Sequence, residues 1–485
     1  MLDDELQSAL DRRAAKGTLR NLTVYPTTPS SSSSSTSSPQ QPALVDFSSN
    51  DYLSLATSSR VRSDFVSIVT RNPALSSQLG SAGSRLLDGN SSIHEQIEYQ
   101  LTSHFASSSA GLLFNSGYEA NVSLLSTLPQ PKDVVIYDEL VHASVHDGLR
   151  RSRVPARLRI PFRHNSTEHL EQILESLTRD GTLTAGSSNG AGERNVWLAV
   201  ESVYSMDGDA CPLNALLDVM SRYVDDRRIC GVVDEAHSTA LYGERGRGLV
   251  NALGLQRDPR IAARLMTFGK AWGASGAIVL CSQVARHYLI NYARPLIFST
   301  ALGYPQLASI MASFNSIQDG TAQRAARKTF ANSRRLVDGF EAVIRTQRVG
   351  DKRSVALPPH LKPASPSPDS AKHGLEAGKD DFVGWSMQQP SPIIPLLTAD
   401  ARELAAHLRA NGLLARPICY PTVPKGEDRV RICVHADNAA EDIDRLIECV
   451  RQWVGGTSSP QPVVRSSAND GRPTTRTAQL LASKL

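Results

Sequence analysis

Ile229-Cys230-Gly231-Val232-Val233-Asp234-Glu235-Ala236-His237 is the stretch that decides the fold. Five uncharged residues, including β-branched Ile229, Val232 and Val233, run directly into two acids and an imidazole. A strand with one wet face would alternate apolar and polar residues. A short continuous apolar run instead reads as a strand covered on both faces. Similar runs occur at Val134-Val135-Ile136-Tyr137, Val196-Trp197-Leu198-Ala199-Val200 and Ala277-Ile278-Val279-Leu280-Cys281. Helical periodicity fills the chain around them, at 93–105, 213–223 and 283–292, and a long helical pattern follows Tyr304 to about residue 346. This alternation predicts an α/β fold with a mostly parallel central sheet covered by helices, and a smaller α/β unit after it.

Four stretches interrupt the pattern. Residues 27–42 are a Ser/Thr/Pro/Gln run, 181–192 are rich in Gly, Ser and Ala, 358–379 carry prolines among charges and glycines, and 455–483 are polar throughout. Such compositions bury little. The expected division is an N-terminal helix and disordered Ser-rich linker at 1–45, a large domain at 46–303, a smaller domain with the Pro-rich insertion at 304–454, and a flexible tail at 455–485.

The net charge is +4, from 52 basic and 48 acidic residues. The tail holds Arg465, Arg472, Arg476 and Lys484 against Asp470, so the body is close to neutral. No basic stripe interleaved with aromatics backs a nucleic-acid reading. No apolar run reaches the ~18 residues of a membrane span. The start, Met1-Leu2-Asp3-Asp4-Glu5, is acidic, unlike a secretory or mitochondrial leader. Six scattered cysteines lack zinc-ligand spacing and read as buried thiols of a reducing compartment, with no metal site.

In parallel sheets, chemistry sits just past the C-terminal ends of the strands. Here those ends carry Asp138 and His142, Glu201 with Ser205, and Asp234 with His237. A Gly-flanked lysine follows in Thr267-Phe268-Gly269-Lys270-Ala271-Trp272-Gly273. It is not a phosphate-loop lysine, because Ala271 stands where Ser or Thr would bind magnesium. Each element has two readings. Lys270 is a surface lysine or a Schiff-base lysine, which needs a desolvated amine. Asp234 is a helix cap or the counter-charge of a protonated pyridine nitrogen. His237 is a packed core histidine or a partner of the ring oxygen. Asn115-Ser116-Gly117-Tyr118 is an ordinary cap or a helix N-terminus that holds phosphate. His142 is structural or stacks on a flat heterocycle. Asp-x-x-His at a strand end ahead of such a lysine is hard to explain by packing.

Together with Phe47-Ser48-Ser49-Asn50-Asp51-Tyr52-Leu53, Gly80-Ser81-Ala82-Gly83-Ser84-Arg85, the run from Glu201 to Gly208, Ser391-Pro392-Ile393-Ile394-Pro395 and Pro421-Thr422-Val423-Pro424, these residues resemble the α-oxoamine synthases. Those are fold type I enzymes dependent on pyridoxal 5'-phosphate (PLP). The similarity is greatest to the branch that makes 8-amino-7-oxononanoate in biotin biosynthesis. It spans about residues 1–22 and 46–454.

The resemblance implies a decarboxylative condensation of L-alanine with pimeloyl-CoA, giving 8-amino-7-oxononanoate, CoA and carbon dioxide. It makes Lys270 the PLP-bearing lysine, Asp234 the partner of the pyridine nitrogen, His237 that of the ring oxygen, and His142 the stacking ring. Gly117, Tyr118, Ser205 and Thr267 would lie at the cofactor phosphate. Ser299 and Thr300 would reach the phosphate of a partner subunit in a homodimer. Arg20, Asn50 and Thr422 fall at substrate positions, and Arg431 at the amino-acid carboxylate, with Arg429 as the fallback. Cys419-Tyr420 stands where some relatives carry an arginine. Alternatives are an α-oxoamine synthase with another amino acid or acyl-CoA, and a catalytically silent subunit of the same fold. Ser483-Lys484-Leu485 at the C-terminus reads as a signal for the peroxisomal import receptor. The expected location is therefore the peroxisome, with the cytosol as fallback.

Overall fold

The structure is a computed structural model that describes residues 1–25, 43–105, 110–183, 194–348, 352–362 and 390–456. The Ser-rich run at 27–42, most of 181–192, the Pro-rich insertion from 363 onward and the tail with Ser483-Lys484-Leu485 lie outside the described residues.

The strands in chain order are β1 (Val45–Asp46), β2 (Ala110–Phe114), β3 (Val134–Asp138), β4 (Arg159–Phe162), β5 (Val196–Glu201), β6 (Ile229–Asp234), β7 (Ile261–Thr267), β8 (Ala277–Cys281), β9 (Ile393–Leu397), β10 (Leu413–Leu414), β11 (Arg416–Ile418) and β12 (Arg429–Cys433). Seven build the main sheet in the order β2-β8-β7-β6-β5-β3-β4. From β4 to β7 the neighbours are parallel, and β8 runs against both β7 and β2. The sheet is thus mostly parallel, as the continuous apolar runs predict.

Helices cover both faces. Leu124, Val145, Leu170, Leu174, Leu217 and Leu289 pack with Val135, Leu198, Val232 and Val279 on one side. Ile97, Leu101, Trp272, Leu307 and Ile310 pack with Leu113, Met266 and Ile278 on the other. Each fully buried side chain of this kind contributes about 1.5–3 kcal/mol, which is why the strands tolerate almost no polar residue.

One that does occur is paired. Arg264 in the middle of β7 is 4 % exposed, and its Nε lies 2.6 Å from Glu235 Oε1. Arg264 also donates to the carbonyls of Phe105 and Arg247. This residue hides β7 from a search for apolar runs.

The pattern after Tyr304 is two helices rather than one. They are Tyr304–Gln318 and Thr321–Thr346, parted at Asp319-Gly320. Gly320 has φ +80°, left-handed backbone that glycine adopts readily. The first helix packs on the second face of the main sheet. The second begins there with Ala322, Ala326 and Phe330. It ends in a third core, where Leu336 and Phe340 meet Ile394, Leu404, Val430, Leu446 and Trp453.

That third core lies beside the antiparallel sheet β11-β12-β9. The segment after β1 is tied to it, with Cys433 N donating to the Phe47 carbonyl and Ala436 N to that of Tyr52. Residues 47–52 therefore run between the small sheet and the main one. The six cysteines are free, with Cys230 and Cys419 only half-buried.

Candidate active site

Three neighbouring strands end in acids at one rim: Asp138 on β3, Glu201 on β5 and Asp234 on β6. Glu201 and Asp234 are in register on adjacent parallel strands. Two carboxylates so placed repel each other. Burial first, and then the charge of Asp234, push the Glu201 carboxyl well above the usual carboxylate range, and Lys270 partly offsets this. Asp234 is held as an acceptor. Its Oδ2 takes a hydrogen bond from Asn121 Nδ2 at 2.6 Å and its Oδ1 takes one from Ala236 N at 2.9 Å.

Lys270 reaches this rim from the turn after β7. Gly273 N donates to its carbonyl, and Ala274 N donates to that of Phe268, closing the turn. Gly273 has φ +68°, and a Cβ there would meet Ala56 N at 2.5 Å, so the turn requires glycine. Burial lowers the Lys270 pKa, the carboxylates of Asp234 and Glu201 raise it, and Arg431 lowers it again; the net direction is down. The surface-lysine reading thus gives way to a desolvated amine.

Lys270 Nζ lies 3.0 Å from His237 Nε2. His237 Nδ1 lies 2.8 Å from the hydroxyl of Tyr52, which is fully buried. Tyr52 donates to Asn50 Oδ1 at 3.0 Å, and the same oxygen accepts from Arg431 Nη2 at 3.1 Å. Arg431 also donates through Nε to the Ser205 carbonyl at 2.6 Å. A connected set of polar groups therefore runs from the lysine of the main sheet to the arginine of β12.

The two arginines of β12 are now distinguishable. Arg429 is 2 % exposed and is paired with the carboxylates of Asp207 and Glu427. Arg431 has neutral partners and, among the described residues, no carboxylate. A buried cation without a counter-ion is suited to receive one. Geometry thus favours Arg431 over Arg429 as the carboxylate site.

At the other end of the site, Ser116 caps the helix Gly117–Thr127, its hydroxyl accepting from Glu119 N. A Cβ on Gly117 would lie 3.4 Å from Thr267 Oγ1, so this helix N-terminus and the end of β7 come together. Gly269 N also faces Thr267 Oγ1 at 3.5 Å. His142 caps the next helix, Ala143–Arg151, through Nδ1, which accepts from Ser144 N, and leaves its ring exposed. Tyr118 stands edge-on to that ring, with centroids 6.4 Å apart, and its hydroxyl donates to Asp147.

Several expected residues are not drawn in. Arg20 is exposed in the coil after the first helix and has no hydrogen bond or ion pair among the described residues. Thr422 sits on an exposed turn, its N–H donating to the Cys419 carbonyl. Ser299 is half-exposed and Thr300 exposed, the Thr300 carbonyl accepting from Asn115 Nδ2. Ser205 lies at the Arg431 end through its carbonyl. Sequence reasoning missed Asn121 and the hydroxyl of Tyr52. Asn121 looks like any helix residue, but Tyr52 lies inside the quoted Asn50-Asp51-Tyr52 motif.

The residues present fit PLP. Buried Asp234 has two N–H donors and no cation bonded to it, which leaves it ready to face a protonated ring nitrogen. In the same patch Asn121 Oδ1 and Glu201 Oε1 are buried without a partner among the described residues. A desolvated amine lies beside them, and a helix N-terminus with small residues faces the same space.

Residues 42–450 match the family of class I and II aminotransferases. An 8-amino-7-oxononanoate synthase from Emericella nidulans is 39 % identical over 93 % of this chain and 96 % of its own length.

The chain belongs to the α-oxoamine synthase branch of that family.

Another relative of this α-oxoamine synthase, an aminoacyl transferase, sphA, from Aspergillus fumigatus, is 34 % identical over 83 % of this chain and 79 % of its own. Solved structures share the fold. A serine palmitoyltransferase from S. paucimobilis with a bound PLP–myriocin adduct has a TM-score of 0.65 at 23 % identity, covering 84 % of this chain and 88 % of its own. An 8-amino-7-oxononanoate synthase from Francisella tularensis has a TM-score of 0.60 at 21 % identity, covering 85 % and 98 %. The fold is therefore that of the fold type I PLP enzymes, and this α-oxoamine synthase is a PLP-dependent enzyme of acyl transfer.

Proposed function

We propose that this enzyme condenses L-alanine with pimeloyl-CoA, releasing 8-amino-7-oxononanoate, CoA and carbon dioxide. The observation that carries the reading is Arg431, a buried cation with neutral partners, linked by hydrogen bonds to the amine of Lys270. The E. nidulans relative, an 8-amino-7-oxononanoate synthase, supports the choice of product.

Bound PLP would supply a carbonyl for covalent attachment and an electron sink for charge developing at Cα. In this reading Arg431 takes the amino-acid carboxylate and Asn50 orients it. The Lys270 amine holds the cofactor and then removes the Cα proton, for which its lowered pKa suits it. Asp234, oriented by Asn121, keeps a proton on the ring nitrogen. His142 offers its open face to the ring, and His237 meets the ring oxygen. Gly117, Tyr118 and Thr267 serve the phosphate end, and Ser205 instead holds Arg431 through its carbonyl. Arg20 and Thr422 serve the acyl substrate from the outer side.

Ser299 and Thr300 are assigned to the partner's phosphate in a homodimer. Exposed Phe298 next to them, and exposed Leu79, whose carbonyl accepts from Tyr304 N, support that pairing, and sedimentation tests it. The terminal Ser483-Lys484-Leu485 is read as a peroxisomal address. Its deletion from a fluorescent fusion should turn punctate signal diffuse.

A second reading is an α-oxoamine synthase with a different amino acid or acyl-CoA, favoured by the aminoacyl transferase relative. A silent subunit accounts poorly for Lys270, His237 and Asp234 held in one site. The deciding experiment incubates the purified enzyme with alanine, glycine or serine and acyl-CoAs of several lengths, with products identified by mass spectrometry. Formation of 8-amino-7-oxononanoate from alanine and pimeloyl-CoA alone supports the first reading. A product only with another pair replaces it.

A further inference from the structure

The donors in the run from Arg431 to Lys270 follow from the chemistry of the groups. A guanidinium only donates. The oxygen of Asn50, and not its amide nitrogen, therefore faces Arg431 Nη2 at 3.1 Å. That oxygen is also 3.0 Å from the Tyr52 hydroxyl, which must give it its single proton. Tyr52 is then the acceptor in its 2.8 Å contact with His237 Nδ1, so Nδ1 carries a hydrogen. Burial above all, with the charge of Arg431 adding to it, holds the His237 pKa well below its ordinary value, so the ring is neutral and has one hydrogen only. Its Nε2 is a bare lone pair, 3.0 Å from Lys270 Nζ.

We propose that Tyr52 is a positioning residue that fixes His237 as the Nδ1–H tautomer, so that Lys270 donates a hydrogen to Nε2 and keeps its own lone pair free to capture the cofactor carbonyl. This deepens the function proposed above and rests on it. The opposite tautomer would aim an N–H at the amine and engage that lone pair. In the capture step the Nζ lone pair forms the bond to the carbonyl carbon. The carbonyl oxygen leaves as water with the two hydrogens that the neutral amine gives up. No oxidant or reductant takes part.

The test uses the full-length protein stripped of cofactor and labelled with 15N-histidine. His237 is assigned by the signals that vanish in His237→Gln. The wild type should show a protonated Nδ1 and a bare Nε2. Tyr52→Phe keeps the buried ring shape without the hydroxyl and should show mixed tautomers. It should also slow attachment of added pyridoxal 5'-phosphate by about five-fold, the weight of one ordinary hydrogen bond. Attachment is followed by visible absorbance and by borohydride trapping at Lys270. Asn50→Ala leaves Tyr52 in place but frees its proton to turn toward Nδ1, and should move the histidine hydrogen to Nε2. An unchanged Nδ1–H in both variants, or an unchanged attachment rate in Tyr52→Phe, overturns the proposal. If wild-type Lys270 is not trapped at all, the function proposed above fails instead.

Discussion

His164 sits between two carboxylates. Its Nδ1 is 3.0 Å and 3.1 Å from the oxygens of Asp138, and its Nε2 is 2.8 Å from Asp209 Oδ2. Both ring nitrogens face acceptors, so both must carry hydrogen. Burial lowers the pKa of this ring, but the hydrogen bonds to Asp138 and Asp209 outweigh it and raise the value to about 10. In the unfolded chain the same imidazole titrates near 6.5. The folded state thus holds a proton, between about pH 6.5 and 10, that the unfolded chain sheds. The resulting stabilisation is fully present below about pH 6.5 and is lost as pH rises through about 10. At about 1.4 kcal/mol per unit, the span from pH 7 to 10 corresponds to roughly 4 kcal/mol. The ring is 21 % exposed, and screening at such a site reduces this to about 2–3 kcal/mol. Replacing His164 with glutamine keeps polar contacts but removes the charge. Urea unfolding of both proteins, followed by tryptophan fluorescence from pH 6 to 10, reads the effect. The stability gap should be widest near pH 6 and should close toward pH 10. A gap that stays constant or widens with pH would show that His164 is not held as an imidazolium.

Lys270→Ala should abolish borohydride trapping of the cofactor and lower turnover by at least about 10³-fold; a normal rate removes Lys270 from the mechanism. Asp234→Asn should lower turnover by about 10²-fold. It should also destabilise the fold by about 1–3 kcal/mol, because an amide cannot accept from both Asn121 Nδ2 and Ala236 N without stranding a donor. Melting curves and steady-state rates check the two parts separately. Arg264→Met leaves the buried Glu235 carboxylate without its cation and should cost about 3–5 kcal/mol in chemical denaturation; a loss below about 1 kcal/mol would mean that the pair contributes little.

Much of the architecture is legible in the chain, for identifiable reasons. β3, β5, β6 and β8 announce themselves because burial on both faces admits only apolar residues. β7 does not, because Arg264 breaks its run and only the three-dimensional partner Glu235 explains it. β4 is short and contains Pro161, so it carries no strand signal of its own. The helical pattern of residues 304–346 conceals the break at Gly320, since a lone glycine there does not interrupt the run of apolar residues. At the site, Asp234, His237 and Lys270 stand out because acids, imidazoles and lysines are expensive near strand ends. Asn121 and Tyr52 do not, because their residue types are common in helices and cores. Their importance lies in whom they touch, which no spacing rule records.

The turn at residues 205–209 follows β5 in the main sheet, yet both arginines of β12 grip it, Arg431 at the Ser205 carbonyl and Arg429 at Asp207. His164 fastens its other end through Asp209. A hinge movement wide enough to part the two sheets would have to surrender a charged pair and a short hydrogen bond together. The two sheets are thus coupled through this turn, and any movement that separates them costs both contacts at once.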